Sequence, residues 1–463
     1  MLTRAIADQI GIRLTDPSSG WITMSSSVTP STGIFEHDNY PMTIRVAISM
    51  FLPFWMVVAV LSCSAPTSES PLPWANVSDS GVSTERLEQI APAMQRYVDE
   101  GKTGGIVTMV AHRGHLVHWD AVGFRDLDSQ DPLEVNDIFR IYSMTKPITS
   151  VAVMMLVEDA LISLDDPVSL YLAGFEDVGV YVEGELVPPR EPMTIADLLG
   201  HTSGLTYGDF GQTHVDSLYR TADVFSGDLA NLVEEVTELP LLSHPGSLWN
   251  YGVSVDVLAR LVEVVSGQPF DEFLHARIFK PLGMIDTDFV VPPEKMARFT
   301  TSYTATRNGA LRMFEYPFEG IYNTKPELLS GGGGLVSTAA DYVRFAQMLL
   351  NGGEFNGVRL LRRENVALMR TNRLAEHLIP ISIATWRADG YGFGLGFSVL
   401  VDEDASSVAD NNGVFRWWGI GSTYFWIDPD EELIALVMTQ LYPPSLGMLE
   451  PEFQTLVYNA LKN

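Results

Sequence analysis

The segment Ser143-Met144-Thr145-Lys146 places a hydroxyl and an amine on one face of a helix. Side chains three residues apart lie about one helical turn apart, so the Lys146 amine could reach the Ser143 hydroxyl. Serine becomes a nucleophile only when a base takes its proton, and burial lowers the pKa of a lysine until its amine can be that base. The pair therefore predicts acyl transfer. The alternative is that Ser143 only caps the helix and Lys146 is a surface charge.

Tyr251 is the second candidate, in the segment Trp249-Asn250-Tyr251-Gly252. It lies just before a helix predicted over residues 256–265, so its phenol could project into a cleft. Near an ammonium, a phenol ionises more easily and could carry a proton. The alternative is a packing tyrosine with a tethered hydroxyl.

The third candidate is Trp417-Trp418-Gly419-Ile420, which precedes a strand predicted over residues 423–427. Glycine lets the backbone approach a substrate closely, and a backbone N–H here could complete an oxyanion hole. The alternative is a glycine-rich strand entry beside core tryptophans.

The elements that must position these residues follow from hydrophobic periodicity and turn signals. Strands are predicted near both ends of the catalytic part and helices in its middle. The predicted strands cover residues 105–111, 115–122, 392–401, 423–427 and 433–439, and the predicted helices cover residues 86–99, 143–158, 256–265, 341–350 and 451–462. This order favours an α/β (α+β) fold, with one antiparallel sheet built from both termini, flanking helices, and an inserted, mostly helical subdomain at roughly 165–330.

Together these motifs resemble the class C β-lactamase and penicillin-binding-protein superfamily of serine hydrolases, most closely the family VIII carboxylesterases. The resemblance spans roughly residues 83–461 and extends to segments 201–205, 330–337 and 424–429. It implies a β-lactamase/transpeptidase-like fold, with no cofactor and no metal. It also implies that Ser143 is the acylated nucleophile and that Lys146 and Tyr251 form the acid/base pair, with either able to take the first proton. The implied oxyanion donors are the N–H groups of Ser143 and Ile420.

Two departures from the β-lactamase pattern bear on the substrate. Val253 occupies the place of an Asn in the middle motif, and Trp417 occupies the place of a Lys in the late motif. Both changes make the cleft apolar and neutral, so we expect small neutral esters with short acyl groups. The alternatives are a D-Ala-D-Ala carboxypeptidase or weak class C-type β-lactamase, and a non-catalytic cell-surface protein that retains the fold.

The charge of the chain excludes other classes of function. The 463 residues contain 29 Lys and Arg against 58 Asp and Glu, a formal net charge of −29. Such a surface repels phosphate backbones, so we expect no nucleic-acid partner. A saline habitat or ordinary secretion would each account for the acidity. The single cysteine excludes a disulfide-stapled scaffold, and oligomeric state is not predicted.

The N-terminal region is typical of export. Arg45 precedes an uncharged, apolar run over 46–61 and then Ser62-Cys63, so residues 42–63 are predicted to be an export signal ending in a lipobox, with Cys63 as the lipidated residue. Plain secretion, an uncleaved anchor or a core cysteine are the alternatives. We expect a periplasmic or cell-surface lipoprotein held to the membrane by its lipid. Residues 1–41 are expected to be an unstructured extension, absent from the mature protein if Met42 is the true start, and residues 64–82 a flexible linker.

Three other features are assigned structural roles. His112, His115 and His118 are evenly spaced, but on a hairpin they would not share one sheet face, which disfavours a metal site. His201 is expected to be a structural hydrogen-bonding residue. The glycine run at 331–334 lacks the end of a phosphate loop and is expected to form a tight loop near the mouth of the cleft.

Overall fold

The computed structural model describes residues 70–76, 81–406, 411–443 and 446–461 of the chain. The predicted extension at 1–41, the export signal at 42–63 and the lipidation site Cys63 lie outside these residues. Within them, no helix has the length and apolar character needed to cross a bilayer.

The core of the fold is an eight-stranded antiparallel sheet to which both ends of the chain contribute. Its strand order is β14-β15-β16-β17-β18-β1-β2-β3. The five C-terminal strands therefore continue directly into the three N-terminal ones, as predicted. The strands in this sheet are β1 Gly105–His112, β2 His115–Asp126, β3 Asp131–Pro132, β14 Tyr391–Phe393, β15 Ser398–Leu400, β16 Phe415–Gly419, β17 Thr423–Asp428 and β18 Leu433–Met438.

The remaining strands form two-stranded pairs outside the main sheet. They are β4 Phe139–Arg140 with β9 Val336–Ser337, β5 Val180–Val182 with β6 Glu185–Val187, β7 Ser302–Ala305 with β8 Leu311–Glu315, β10 Glu354–Phe355 with β11 Val358–Arg359, and β12 Ser382–Ile383 with β13 Trp386–Arg387. The β4–β9 pair matters for the site, because it joins the residues just before Ser143 to those just after the 331–334 glycine run.

Helices surround the sheet and fill the middle of the chain. They are α1 Thr84–Leu87, α2 Ile90–Asp99, α3 Thr145–Glu158, α4 Ile195–Leu199, α5 His214–Thr221, α6 Leu229–Thr237, α7 Ser254–Ser266, α8 Phe270–Leu274, α9 Lys280–Leu282, α10 Ala339–Leu350, α11 Arg363–Met369 and α12 Leu446–Leu461. The region between about 165 and 330 accordingly holds six helices, α4 to α9, with two of the small hairpins.

Helices cover both faces of the sheet. Phe425 and Trp426 are neighbours in β17 and therefore point to opposite faces. The Phe425 ring packs on Tyr342 of α10, and the Trp426 ring packs on Phe453 of α12. Every residue of β1, β17 and β18 is consequently buried.

Helices α3 and α7 pack against each other beside the sheet; Lys146 lies in the first turn of α3, and Ser143 and Tyr251 lie just before α3 and α7. Helix α3 is buried from Thr145 to Leu156, as its nearly continuous apolar sequence predicts. Helix α7 buries one face through Leu258, Leu261 and Val262 and ends at Gly267, whose φ of 69° forms a left-handed cap, a conformation that favours glycine.

Two predicted elements are divided in the structure. The single strand predicted over residues 392–401 is wrong, since β14 and β15 form an antiparallel hairpin over that range. The chain reverses at Gly394 and Gly396; the latter has a φ of 93°, a conformation that favours glycine. The helix predicted over residues 86–99 is likewise broken into α1 and α2, and Pro92 lies in the first turn of α2, where proline is tolerated.

Both ends of the described region also differ from prediction. The last helix begins at Leu446 rather than at Pro451, which lies inside it. The expectation of a flexible linker over 64–82 is wrong for residues 70–76. Leu72 is buried, and the Leu116 backbone of β2 bonds both Pro73 O and Ala75 N.

Candidate active site

Ser143 lies at the entrance of α3, on a short 3₁₀ turn over Tyr142–Met144. Its side chain is half-buried, whereas Tyr142 and Met144 on either side are buried. Tyr142 has a φ of 43°, an uncommon conformation for a residue with a bulky side chain, and such strain is often found at functional sites. The turn therefore presents the hydroxyl of Ser143 at an accessible point of a rigid, buried segment.

The Lys146 amine reaches that hydroxyl. Its Nζ lies 3.2 Å from Ser143 Oγ and donates a 2.6 Å hydrogen bond to the Gly332 carbonyl. Lys146 is 1% exposed, and the helix cap residue, Met144, makes no side-chain capping bond. The alternative of a capping serine beside a surface lysine is therefore excluded.

Burial lowers the pKa of Lys146 toward neutral pH. Removing the ammonium from water lowers the pKa of Lys146 to about 7, although the nearby Asp256 carboxylate opposes that fall. Burial thus favours the neutral amine form of Lys146 far more than solvent exposure would. A neutral amine within hydrogen-bonding distance of a serine hydroxyl has the geometry of a general base.

The aromatic ring of Tyr251 lies beside the Lys146 amine. The Lys146 Nζ lies 4.7 Å from the centre of the Tyr251 ring, and Tyr251 is 7% exposed. Burial raises the pKa of the phenol above its ordinary value, while the Ser143 hydroxyl and the Trp417 indole oppose that rise. The expectation that a nearby ammonium would make this phenol ionise more easily is therefore wrong, since burial outweighs it and favours the neutral phenol.

The late motif forms the floor of the site. Trp417 in β16 is 1% exposed and packs on the Tyr251 ring at 5.4 Å and the Phe393 ring at 5.2 Å. Trp418 is half-buried and makes an edge-to-face contact of 4.2 Å with Trp386 of β13.

Gly419 brings the end of β16 against the residues that precede Ser143. A Cβ at Gly419 would lie 2.3 Å from the Ile141 carbonyl oxygen, so no larger residue fits. Ile420 opens the turn between β16 and β17, next to Gly421, where an added Cβ would lie 2.6 Å from the Tyr142 ring. The predicted oxyanion donors, the N–H groups of Ser143 and Ile420, thus belong to two backbone segments that contact each other.

Two residues that bear on the site were not predicted. Gly332 was expected only in a loop near the cleft mouth, yet its carbonyl accepts the shortest hydrogen bond of the Lys146 amine. Asp256, in the first turn of α7, is fully buried and bonds the same loop. Its sequence signal is an acidic residue in the first turn of a largely apolar helix, a position that is also typical of an ordinary helix start.

His201 lies beside the site but differs from its prediction. Its ring is fully buried, 4.9 Å from the Tyr251 ring, and neither ring nitrogen has a partner among the described residues. The expected hydrogen bond of its side chain is therefore not formed, and only its backbone carbonyl accepts one, from Asn250. Burial holds the pKa of His201 well below its ordinary value, so the ring is neutral.

His112 of β1 and His115 of β2 are directly paired across the hairpin, so the expectation that these histidines would not share one sheet face is wrong for this pair. His115 is exposed, and His118 bonds the Thr108 hydroxyl at 2.8 Å. In the part of the chain that the structure describes, no group of three or more His, Cys, Asp or Glu side chains is placed to hold a metal ion.

The chain is similar to known proteins over most of its length. The Beta-lactamase family model matches residues 90–458. Lovastatin esterase of Penicillium rubens is 31% identical over 386 residues, which cover 77% of this chain and 93% of that protein. Esterase EstB of Burkholderia gladioli is 28% identical over 418 residues, covering 85% and 99% of the two chains. The solved structure of EstCE1, described as a hydrolase with promiscuous acyltransferase activity, has a TM-score of 0.70 at 26% identity, covering 81% of this chain and 99% of that one.

Proposed function

This chain is a serine hydrolase of the β-lactamase family, and we propose that it is a carboxylesterase acting on small, neutral esters with short acyl groups. The observation that carries the proposal is the contact between Lys146 Nζ and Ser143 Oγ at 3.2 Å inside a buried, aromatic site.

In the proposed reaction, the neutral Lys146 amine takes the proton of the Ser143 hydroxyl as Oγ bonds to the ester carbonyl carbon. The backbone N–H groups of Ser143 and Ile420 stabilise the resulting oxyanion. As the intermediate collapses, the bond to the alcohol oxygen breaks and Tyr251 gives that oxygen its proton. The Lys146 ammonium returns a proton to Tyr251. Water then attacks the acyl group and loses a proton to the same pair, and Ser143 leaves with its hydroxyl restored.

The pKa values favour Lys146 over Tyr251 as the first base. Lys146 has a pKa of about 7 because it is buried, so a neutral amine is present under physiological conditions. Burial moves the pKa of Tyr251 upward, so a phenolate is scarce there. The amine therefore suits proton removal and the phenol suits proton donation.

The walls of the site favour an uncharged substrate. By the family resemblance, Trp417 and Val253 stand where β-lactamases carry a Lys and an Asn; Trp417 packs on the Tyr251 ring, and Val253 is fully buried at the start of α7. Trp249 and Phe393 pack around Tyr251 and Trp417 and add further apolar surface. Apolar walls bind a short acyl chain but leave a substrate carboxylate without a partner, which is costly.

A panel of p-nitrophenyl esters with acyl chains of two to sixteen carbons tests this assignment, with Ser143→Ala as the control. We expect turnover to be highest for the short chains and absent in the control. Nitrocefin, or a D-Ala-D-Ala peptide, hydrolysed faster than any ester would instead establish the β-lactamase or carboxypeptidase alternative. Turnover of none of these substrates would favour the non-catalytic alternative.

We also propose export and lipid anchoring through Cys63, on the strength of the apolar run at 46–61 and the Ser62-Cys63 sequence that follows it. Cys63→Ala should move the protein from the membrane fraction to the soluble fraction of its host. Unchanged partitioning would remove the lipid anchor from the account.

A further inference from the structure

Asp256 is a fully buried carboxylate that the reaction described above does not use. It lies in the first turn of α7, where its Oδ1 accepts hydrogen bonds from the Ser330 hydroxyl at 2.5 Å and the Gly332 N–H at 2.9 Å. Its Oδ2 lies 3.4 Å from the Tyr207 hydroxyl. A buried charge is costly unless it is hydrogen-bonded, and these three donors offset much of that cost.

One glycine joins this carboxylate to the amine of the site. The N–H of Gly332 donates to Asp256, and the carbonyl of Gly332 accepts from Lys146. The position of that carbonyl therefore depends on how firmly Asp256 holds the loop. The loop approaches the carboxylate so closely that a Cβ at Gly332 would lie 2.3 Å from Asp256 Oδ2, so a larger residue would clash there.

We propose that Asp256 is a positioning residue of this active site, which fixes the Gly332 carbonyl against Lys146 and places one negative charge near the amine. The proposal rests on the proposed function, since it concerns the base of that reaction. Asp256 acts through Gly332 and through its charge, and it contacts no reacting atom.

Asp256 is the source of negative charge among the titratable groups that face Lys146. Tyr251 precedes α7, and burial raises its pKa, so it is neutral. Tyr207 and His201 follow α4; burial moves the pKa of Tyr207 far up and that of His201 far down, so both are neutral at pH 7. The Asp256 charge favours the ammonium form of Lys146 and limits the fall in its pKa that burial causes.

Loss of the Asp256 charge should shift the pH dependence of kcat/KM in one defined direction. A neutral amine is the active form of the base, so kcat/KM rises with pH through the pKa of Lys146. Removing the negative charge at Asp256 lowers that pKa, and the acid limb of the pH profile moves to lower pH. A residue with a purely structural role would reduce the rate but leave the limb where it is.

The test is the pH profile of kcat/KM for p-nitrophenyl acetate in Asp256→Asn. The amide keeps an oxygen that accepts from Gly332 N–H and loses the charge. We expect the acid limb to move down by about one pH unit and kcat to fall about tenfold through looser placement of the carbonyl. Asp428→Asn is the matched control. The Asp428 carboxylate is equally buried, accepts hydrogen bonds from Tyr458 and Asn411, and lies at the far end of β17 from Thr423. The acid limb of the Asp428→Asn profile should therefore stay at the wild-type pH.

Ser330→Ala tests the same link without changing a formal charge. Its hydroxyl donates to Asp256 Oδ1, so its loss leaves the carboxylate less neutralised. The charge then acts more strongly on Lys146, and the acid limb should move slightly to higher pH, opposite to Asp256→Asn. This variant answers the question even if Asp256→Asn does not fold.

Opposite shifts in the two variants would support the proposal. The proposal would be overturned if folded Asp256→Asn had its acid limb at the same pH as the wild-type protein. If Asp256→Asn does not fold, an unshifted acid limb in Ser330→Ala would overturn it. Failure of the proposed function is a separate result, because the wild-type protein would then show no ester turnover from which to measure a limb.

Discussion

At the scale of single residues, the site depends on burying an amine that would otherwise be charged. Lys146 has a pKa of about 7 in the folded protein, against 10.5 for an ordinary lysine. Since the unfolded chain binds the proton more tightly, this lysine costs stability at pH 7 and below, and the cost decreases as the pH rises toward 10.5. The fold accepts this cost at the position where a neutral amine is chemically useful.

The phenol of Tyr251 gives a prediction at the same scale. Tyr251→Phe keeps the ring packing on Trp417 but removes the proton donor. An alkoxide leaves poorly without a proton, whereas p-nitrophenolate needs none. We therefore expect kcat on an alkyl ester, followed by pH-stat, to fall 10²- to 10⁴-fold, and kcat on the nitrophenyl ester to fall much less.

Tyr219→Phe is the control for that experiment. Its phenol is also buried, and its hydroxyl has no partner among the described residues. Activity on both esters should match the wild-type protein. Equal losses on the two esters in Tyr251→Phe would show that the phenol does not protonate the leaving group.

The sequence predicts the members of this site better than their protonation. Residue type and spacing suggest Ser143 and Lys146, the family resemblance adds Tyr251, and the structure brings the three together. The direction of the Tyr251 pKa was not, because it depends on how far the ring is removed from water. Asp256 was not predicted as a site residue, because an acidic residue in the first turn of a helix is usually explained by its favourable interaction with the helix dipole.

At the scale of elements, the site depends on how closely the 330–334 loop approaches α7. A Cβ at Gly332 would lie 2.8 Å from the Tyr207 hydroxyl and closer still to the Asp256 carboxylate, whereas a Cβ at Gly333 would meet no atom nearer than 3.8 Å. These adjacent glycines therefore differ in what they tolerate. Only the first packs against the groups that hold Lys146.

Alanine substitutions at these two positions test that difference. Gly332→Ala should lower the free energy of unfolding by about 1–3 kcal/mol through overpacking and reduce kcat/KM at least tenfold. Gly333→Ala should change the stability by less than about 0.5 kcal/mol. Thermal melts and ester hydrolysis measure both effects. Equal behaviour of the two variants would mean that the loop does not position the amine.

Element types followed from periodicity, but several boundaries did not. Strands β1 and β2 form where predicted, on either side of Arg113-Gly114, because strand patterning and turn residues are local signals. The reversal at Gly394 was missed, since it depends on a tertiary contact. A Cβ there would lie 2.0 Å from the Met369 carbonyl oxygen. The sequence of that segment reads equally well as one continuous strand.

At the scale of the whole molecule, the two ends of the chain must meet before the site exists. Val107 of β1 pairs with Met438 of β18, and this pairing closes the sheet on which β16 and the Trp417 motif are placed. The order of strand and helix signals predicted that arrangement. The packed segment at 70–76 was not predicted, because it lies within residues 64–82, whose Ser and Pro content is typical of linkers.

The net charge of −29 gives a prediction for the molecule as a whole. Repulsion among the surface carboxylates opposes folding, and salt screens it. Raising NaCl from 20 to 200 mM at pH 7.5 should therefore raise the Tm by a few degrees. At pH 4.5, near the sequence pI of about 4.5, the same change should have little effect. A Tm that is independent of salt at pH 7.5 would show that the charges are not close enough to repel.

The most direct test of the account is reaction with a fluorophosphonate, followed by intact-mass measurement and peptide mapping. A serine made nucleophilic by Lys146 should give the wild-type protein one adduct, on Ser143, and Ser143→Ala should gain none and hydrolyse no ester. A wild-type protein that gains no adduct where esterase EstB does, or one labelled at another residue, would contradict the central claim.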